Sequence, residues 1–475
     1  MSKVERPTSV HPLFDKVVAG GYCIGCGACA IGGTGIAIRE NAEGFLQATG
    51  AEAGKVSDES ASLMQLCPMS GEGEDETVLA TPLFEAQCTW DERVGYHESV
   101  FVGHVRDRDD RKRGSSGGLT TWLLRRMLER NIVDHVVHIL PVEAPAGSGA
   151  PLFEFGISSN AKALERGRKS TYYPVEMSAA LEHILATPGR YAVTTVPCFA
   201  KAIRLRNQHD PVLKSRVVAI IGTVCGHLKS RYFAEYLAWS RGVTPDALTA
   251  IDFRTKLAGY AASDYGFTPN HDRRRTALTK DLFAANWEVS FFRYDACEFC
   301  DDVFAETADI VFGDAWISPY QDDWLGNNIV VSRRPDLSRL LREGREAGVL
   351  TLAAATVEQA AQSQSGGLRH RREGLAVRLA AKDRQGKWRP RKRVQAGDTH
   401  LDSERATLYL RRSQLSRQSV EAFRRAKRAG SLALFTLLIS GPVFLYYRKR
   451  YGIKRAVRES APMKALRRLV RRVYR

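Results

Sequence analysis

The chain has 475 residues, 44% of them apolar and 26% charged, a composition that suits roughly two to four domains and excludes a wholly disordered chain, a fibre and a polytopic membrane protein. The formal net charge of +17 is concentrated at one end, since residues 366–400 carry +8 and residues 401–475 carry +16, which leaves −7 for residues 1–365. This distribution argues against a nucleic-acid groove across the body and leaves open a tail that contacts phosphates or anionic lipid.

The N-terminal region, residues 1–95, is rich in Gly and Cys and shows little periodicity. This pattern predicts a small, loop-dominated module that needs a metal or a covalent link for stability. Residues 1–17 are polar and contain no apolar signal segment, so we expect a cytoplasmic, reducing compartment. In such a compartment, clustered cysteines bind metal or take part in redox chemistry more often than they form disulfides.

A first thiol set combines Cys23, Cys26 and Cys29, spaced C-x-x-C-x-x-C, with the distant Cys67. The three clustered cysteines are too close to form sound disulfides with one another. A remote Cys-Pro usually supplies the closing ligand of a ferredoxin-type set, and Pro68 follows Cys67. Four thiolates also bind zinc, although zinc ligands usually come as two separated C-x-x-C pairs. The spacing therefore favours a [4Fe–4S] cluster, with zinc as the alternative.

From residue 98 onward, strand-like and helix-like segments alternate. Apolar runs predict strands at 99–105, 133–140, 191–196, 217–224, 308–312 and 329–332. Helical periodicity predicts helices at 119–130, 176–186, 197–207 and 229–241. This alternation is typical of an α/β domain with a substantially parallel sheet.

Two loops of this body have the chemistry of a phosphate site. The first, R-G-S-S-G-G at 113–118, leads into a predicted helix, whose N-terminus with its free N–H groups favours an anion. It lacks the Gly-Lys-Ser/Thr ending of a Walker loop, and a plain capped turn is the other interpretation. The second, R-K-S-T-Y-Y at 168–173, combines cations and aromatic rings. It is suited to a phosphate and a flat ring, or is a surface loop.

A second thiol set consists of Cys198, Cys225, Cys297 and Cys300. Cys198 and Cys225 follow predicted strands, and Cys297 and Cys300 form a C-x-x-C pair. Reactive groups in open α/β sheets gather at the carboxyl ends of strands, so these four thiols suit a second metal site. The alternative is that Cys198 and Cys225 are buried small hydrophobes, as free cysteines commonly are.

The C-terminal region has a different texture. Residues 362–394 are polar and basic and indicate a linker or arm. Residues 431–447 carry no charge and have basic flanks, which predicts either a segment that lies in a membrane or a buried apolar helix. Beyond them, Leu466, Leu469, Val470 and Val473 repeat at helical spacing among arginines. That pattern predicts a basic amphipathic helix at the inner, anionic membrane surface.

The motifs, in order, are CIGCGAC, RGSSGGLTTWLL, KSTYYP, VPCFAKAIRLR, GTVCGH, IDFR and CEFCDDVFAETADIVFGDAW. This series, which spans about residues 15 to 335, resembles the coenzyme F(420) hydrogenase/dehydrogenase beta-subunit family. The resemblance implies an iron–sulfur flavoprotein, and it implies that the second thiol set holds a second [4Fe–4S] cluster. It further implies that FAD is bound by Ser115, Ser116, Gly117, Gly118 and Thr121, with Lys169, Ser170 and Tyr172 near the flavin.

We therefore expect a small ferredoxin-like iron–sulfur module on an α/β flavin-binding body, with a basic helical tail. The expected divisions are 1–95 for the module, 96–190 and 191–350 for the body, 351–400 for a basic linker and 401–475 for a membrane-associating tail. The expected activity is electron transfer between a ferredoxin-like donor and a two-electron acceptor, such as a deazaflavin or a lipid-linked polysaccharide precursor. The alternative is a non-catalytic, membrane-tethered accessory protein of cell-surface polysaccharide synthesis. No nucleic-acid partner is expected.

Overall fold

The computed structural model describes residues 11–50, 61–283, 285–398 and 401–460. The strands of these residues are β1 (Ile36–Glu40), β2 (Leu46–Gly50), β3 (Thr89–Asp91), β4 (Gly95–His97), β5 (Ser99–Val105), β6 (His135–Pro141), β7 (Phe153–Ser158), β8 (Tyr191–Thr195), β9 (Val217–Thr223), β10 (Ile251–Thr255), β11 (Gly266–Pro269), β12 (Ala277–Leu278), β13 (Ile310–Asp314), β14 (Asn328–Ser332) and β15 (Leu350–Ala354). The α-helices are α1 (Ala61–Leu66), α2 (Glu76–Phe84), α3 (Arg108–Arg113), α4 (Leu119–Glu129), α5 (Ala161–Leu164), α6 (Ser178–Ala186), α7 (Pro197–His209), α8 (Pro211–Arg216), α9 (Arg231–Trp239), α10 (Pro335–Glu346), α11 (Val357–Ser363), α12 (Ser365–Arg371), α13 (Glu373–Arg384), α14 (Ser403–Arg428), α15 (Leu432–Tyr451) and α16 (Ile453–Glu459).

One large sheet organises the body, with the strand order β15-β5-β14-β13-β9-β8-β6-β7. Only β13, β9, β8 and β6 pair in parallel, and the strands outside this central group pair antiparallel. The mixed α/β fold is confirmed, but the expectation of a substantially parallel sheet is only partly right. The reason is local, because β6 and β13 are each joined to the next strand by a connection without an α-helix, and such connections make antiparallel neighbours.

Both faces of the sheet are buried. Successive side chains of each strand point to opposite faces, so each strand contributes to two cores. On one face, Phe101 and Val330 pack with the helices α4 and α10 in one core. On the other face, Val100 and Val331 belong to a core that also contains side chains of α6 and α7. Helices therefore cover the two faces of the central strands, and the sites at the strand ends rest on a rigid support.

The N-terminal region packs directly against this body. Tyr22, Ile24 and Ile31 are buried in the same core as Phe299 and Phe304. Its regular structure consists of the β1–β2 hairpin, the helices α1 and α2 and the short β3–β4 hairpin. The expected ferredoxin-like character of this region stays a prediction, since its core is shared with the sheet.

The segment expected to be a basic linker, 351–400, is folded onto the body. It completes the sheet edge with β15 and continues through α11, α12 and α13. Leu375 and Leu379 lie in the core, and Arg371 and Arg378 are buried as well. The expectation was wrong because buried arginines pair there with backbone carbonyls and carboxylates, so a basic composition does not indicate a solvated arm.

The tail forms a helical hairpin, in which α14 and α15 pack on each other and on α9. Phe423 and Phe435 are fully buried and join Tyr232 and Tyr236 of α9 in a second core. This packing matches the buried-helix interpretation of 431–447. No helix in the described part of the chain combines the length and the apolarity needed to cross a bilayer. The predicted amphipathic helix around residues 466–473 lies outside the described residues.

Candidate functional site

A cavity of about 640 Å³, here called the central cavity, opens beside the carboxyl ends of the parallel strands. Thr195, Val224 and Asp314 line it, at or just beyond the ends of β8, β9 and β13. Open α/β sheets bind their ligands at this edge. The volume is in the range of small-molecule and cofactor sites.

The Ser/Gly loop contributes one wall of the central cavity. Ser115, Ser116, Gly118 and Thr121 line it, whereas Gly117 lies behind the wall. A side chain at Gly117 would meet the carbonyl oxygen of Gly103 at 2.7 Å, so the loop packs tightly on β5. Gly118 has a φ of 84°, a backbone conformation that favours glycine, and it directly precedes α4.

The second predicted loop also lines the central cavity and is hydrogen-bonded to the first. The backbone N–H of Ser170 donates to Ser115 Oγ at 2.7 Å. Lys169 Nζ donates to Asp252 at 2.7 Å, and Lys169, Ser170 and Tyr172 all line the central cavity. The two loops that the sequence singled out separately thus form one continuous surface.

Two buried cations in the cavity wall were not among the sequence candidates. Arg254, only 4% exposed, pairs with Asp314 through both Nη atoms and stacks 4.1 Å from the Tyr265 ring. Lys229 lies 4.9 Å from the Trp287 ring, and burial lowers its pKa well below the usual value. Arg254 and Asp314 belong to the motifs IDFR and GDAW, which could have indicated Arg254 from the sequence.

The charge of the central cavity follows from these residues. Among the described residues that line it, Asp314 is the only acid, and Arg168, Lys169, Lys229 and Arg254 are basic. Arg168, Lys169 and Arg254 pair with the carboxylates of Asp110, Asp252 and Asp314. Aromatic side chains, including Tyr172, Trp287 and Trp316, supply flat apolar surface. Basic side chains outnumber acids in this lining, and its aromatic surface suits a planar ring system.

His138 in the cavity wall predicts a pH dependence of stability. Burial, followed by the Arg166 charge, lowers the pKa of His138 from 6.5 to about 4, and its Nε2 lies 2.8 Å from Ser158 Oγ. Between pH 6.5 and 4, His138 is protonated in the unfolded state but not in the folded state. The free energy of unfolding therefore decreases as the pH falls through this range, by up to about 3 kcal/mol.

We therefore expect His138→Gln to lose less stability than the wild type between pH 7.5 and pH 4.5, measured by urea unfolding. Glutamine keeps a hydrogen-bonding group but does not titrate. The exposed His183 provides the control, since His183→Gln should follow the wild-type pH profile. A His138→Gln profile parallel to the wild type would contradict the assignment.

The second thiol set converges on a small pocket next to the central cavity. All four of its cysteines, 198, 225, 297 and 300, line this pocket together with Arg371. The backbone N–H of Leu228 donates to Cys297 Sγ at 3.2 Å. Burial raises the pKa of Cys297 to about 11 and that of Cys225 to about 12. Cys225 also lines the central cavity, so the two spaces share a wall.

The first thiol set is gathered by the glycine turns of its motif. Gly25 and Gly27 have φ values of 64° and 88°, and the N–H groups of Gly25 and Ala48 donate to Cys23 Sγ at 3.4 and 3.3 Å. Burial raises the pKa of Cys26, and the neighbouring thiols Cys67 and Cys23 raise it further. The four thiols are therefore close enough to interact electrostatically.

The two thiol sets are neighbours. The pKa of Cys198 is raised by burial and then by nearby thiols, of which Cys26 in the first set is one. Every cysteine of the chain is free of disulfide bonds. Cys88 stands apart from both sets, where its Sγ donates to the Arg333 carbonyl at 3.2 Å.

The arrangement of the thiols suits an iron–sulfur cluster better than a single metal ion. In the parts of the chain that the structure describes, no three His, Cys, Asp or Glu side chains are arranged to hold a metal ion. An iron–sulfur cluster places a different requirement on the protein, because each thiolate binds its own iron and backbone N–H groups donate to sulfur. Four thiols around one pocket, with N–H donors and the unpartnered Nε and Nη1 of the buried Arg371, fit that requirement.

Comparison with known proteins adds two family matches. Residues 100–182 match the N-terminal family model of the coenzyme F(420) hydrogenase/dehydrogenase beta subunit, and residues 189–358 match the C-terminal model. Among solved structures, a chain of the xenon-derivatised F(420)-reducing [NiFe] hydrogenase complex from Methanosarcina barkeri is 15% identical. The alignment covers 64% of this chain and 99% of that chain, with a TM-score of 0.49. No curated protein matches the sequence.

Proposed function

The chain belongs to the coenzyme F(420) hydrogenase/dehydrogenase beta-subunit family, a family of oxidoreductases, and on this premise we propose that it is an iron–sulfur flavoprotein. It would pass electrons between a one-electron donor and a two-electron acceptor. The observation that carries the proposal is the position of Cys225, which lines both the pocket of the second thiol set and the central cavity. Only the wall that contains Cys225 would thus separate a cluster at the second thiol set from a cofactor in the central cavity.

The order of the three sites supports electron relay. The first thiol set adjoins the second, because Ile24 and Met69, which lie within two residues of Cys23 and Cys67, line the pocket of the second set. The second set adjoins the central cavity through Cys225. When bound, the clusters supply one-electron chemistry and FAD supplies the conversion to two-electron chemistry. The contribution of this chain is to hold the three sites in series.

Specific side chains would hold the flavin cofactor. The Ser115 hydroxyl, the Lys169 ammonium and the N-terminus of α4 present donors and positive charge that suit a pyrophosphate. The Ser116 hydroxyl lines the same wall and donates to the Asn327 carbonyl at 3.0 Å. Tyr172 and Trp287 offer planar surfaces to a ring system. Gly117 and Gly118 would keep the loop close to the cofactor, and Thr121 would add a hydroxyl from the first turn of α4.

The donor and acceptor belong to the same proposal. A ferredoxin-like protein would deliver single electrons, and the acceptor would be a deazaflavin or a lipid-linked sugar intermediate. Both acceptor types carry phosphate, which suits a cavity whose described lining holds four basic side chains and one acid.

The test is anaerobic purification followed by quantification of iron, sulfide, zinc and flavin per chain. We expect about eight irons and one FAD, as two [4Fe–4S] clusters and one flavin require. About four irons with FAD would show that the second thiol set has another role. Zinc without flavin would overturn the proposal. Cluster without flavin, and no reductase activity with artificial donors, would favour the non-catalytic accessory protein instead.

We also propose that the tail docks on the cytoplasmic, anionic face of a membrane. The outer face of α15 exposes Leu437 and Leu445, and α16 exposes Ile453 and Val457. Six exposed basic residues follow or alternate with these apolar residues along α15 and α16, namely Arg448, Lys449, Arg450, Lys454, Arg455 and Arg458. Helices that combine exposed apolar and basic side chains are typical of surfaces that bind the interface of an anionic bilayer.

The membrane proposal predicts the behaviour of a double variant, Leu437→Asp with Leu445→Asp, in sedimentation with phosphatidylserine-containing vesicles. Burying one leucine contributes about 1.5–3 kcal/mol, so we expect vesicle affinity to fall at least about tenfold. Val212→Asp is the matched control, since Val212 is also exposed but belongs to the body. Equal binding of the double variant and the wild type would contradict the docking surface.

A further inference from the structure

Three buried arginines lie near the second thiol set, which is also next to the buried carboxyl groups of Asp301 and Asp302. Arg293, Arg371 and Arg378 are 0–3% exposed, and Glu298, 2% exposed, is the acid that contacts this group. Arg293 and Arg378 both pair with Glu298, the latter at 2.8 Å. One carboxylate thus serves two guanidinium groups, and Arg371 has no carboxylate partner among the described residues.

Arg371 combines hydrogen bonds to backbone carbonyls with donors that have no partner among the described residues. Its Nη2 donates to the carbonyl oxygens of Cys225 and Gly226, both at 2.8 Å. Its Nε and Nη1 are buried without a hydrogen-bond partner, and the side chain lines the pocket formed by the second thiol set. Burying a guanidinium without an anion is costly, so this side chain indicates that an anionic group occupies the pocket.

The first thiol set has a different electrostatic environment. The cation that acts on Cys67 there is Lys201. Lys201 is already paired with Glu76, at 3.3 Å, and both side chains are buried. Its charge is therefore neutralised by a protein carboxylate, whereas the charge of Arg371 is not.

We propose that Arg371 is a positioning residue that holds uncompensated positive charge against the cluster of the second thiol set and raises its reduction potential above that of the first. The inference rests on the proposed function, since it requires both clusters. Taking up one electron makes a cluster more negative, and a nearby fixed cation stabilises that reduced state. The difference favours movement of an electron from the first site toward the second, next to the central cavity.

The experiment is an EPR-monitored redox titration of the anaerobically purified full chain, with dithionite as the reductant. Arg371→Gln removes the charge and keeps a donor, whereas Arg371→Lys keeps the charge. We expect the glutamine variant to lower the reduced-to-oxidised ratio of one cluster about tenfold at fixed potential, which is 59 mV for a one-electron couple. The other cluster should be unchanged, and the lysine variant should stay close to the wild type.

The possible outcomes separate the inference from the proposed function. Unchanged potentials in Arg371→Gln, or equal shifts in the Gln and Lys variants, would overturn the role of Arg371 while leaving the flavoprotein proposal intact. Loss of the second cluster in the Gln variant alone, measured as iron content, would support the same need for positive charge. A wild-type chain with about four irons would overturn the two-cluster proposal, and the inference with it.

Discussion

Replacing Cys26 by alanine is expected to abolish the first cluster and with it the entry of electrons. Cys26 is the middle cysteine of its motif, 7% exposed and adjacent to the thiols of Cys23 and Cys67. An alanine leaves three thiolates for a cluster that needs four, so about four of the expected eight irons should be lost. Donor-dependent reduction of the flavin should fall by at least about 100-fold, a loss comparable with the effect of a missing metal ligand or its supporting partner.

Cys88→Ala provides the matched control for this prediction. Cys88 lies outside both thiol sets and bonds only to the Arg333 carbonyl, so its removal should leave iron content and activity unchanged. Iron per chain and the EPR spectrum of the reduced protein measure the difference. A Cys26→Ala protein with a full complement of iron would show that the first thiol set is not a cluster site.

Replacing Arg333 by methionine is expected to cause the largest loss of stability of any single substitution considered. Arg333 is fully buried, and its two Nη atoms donate to four backbone carbonyls, those of Val94, Phe304, Ala305 and Ala308. Methionine fills much of the space but leaves these carbonyls without donors. We expect the free energy of unfolding to fall by about 3–5 kcal/mol, as for the loss of one partner in a buried charged network.

The position of Arg333 explains why the effect should spread. Its bonds tie β14 to the segment that follows Cys300 and to the β3–β4 hairpin near Val94. Urea unfolding of the purified protein measures the loss. Arg339→Met is the control, because Arg339 lies exposed on α10 and should change stability by less than about 0.5 kcal/mol. Similar losses for both variants would contradict the assigned role.

Much of the body could be predicted from periodicity. The strand predicted at 99–105 has these same bounds in the structure, and the helix predicted at 119–130 ends one residue earlier, at Glu129. These segments were predictable because both faces of the sheet are buried, which produces continuous apolar runs in the strands and apolar stripes in the helices. The short loops with glycine, such as 113–118, were equally clear.

The arrangement of charge was not predictable in the same way. Arg371 and Arg378 belong to a basic stretch that resembles a solvated arm, yet both are buried against the second thiol set. Arg254 lies on β10 and Lys229 in the connection between β9 and α9, and the tertiary fold brings both side chains to the central cavity. Sequence periodicity reports which residues are apolar, but it does not report which charged residues find buried partners. The cation-rich wall of the site is therefore a property of the tertiary fold.

The packing of the tail against α9 affects how the chain folds during its synthesis on the ribosome. Tyr232 and Tyr236 are synthesised long before Phe423 and Phe435, which cover them in the finished fold. The core around the sheet can collapse while the tail is still being made, but the aromatic face of α9 stays open to solvent until the last helices emerge. A premature stop codon within the tail would thus leave the aromatic face of α9 exposed and yield a chain that aggregates.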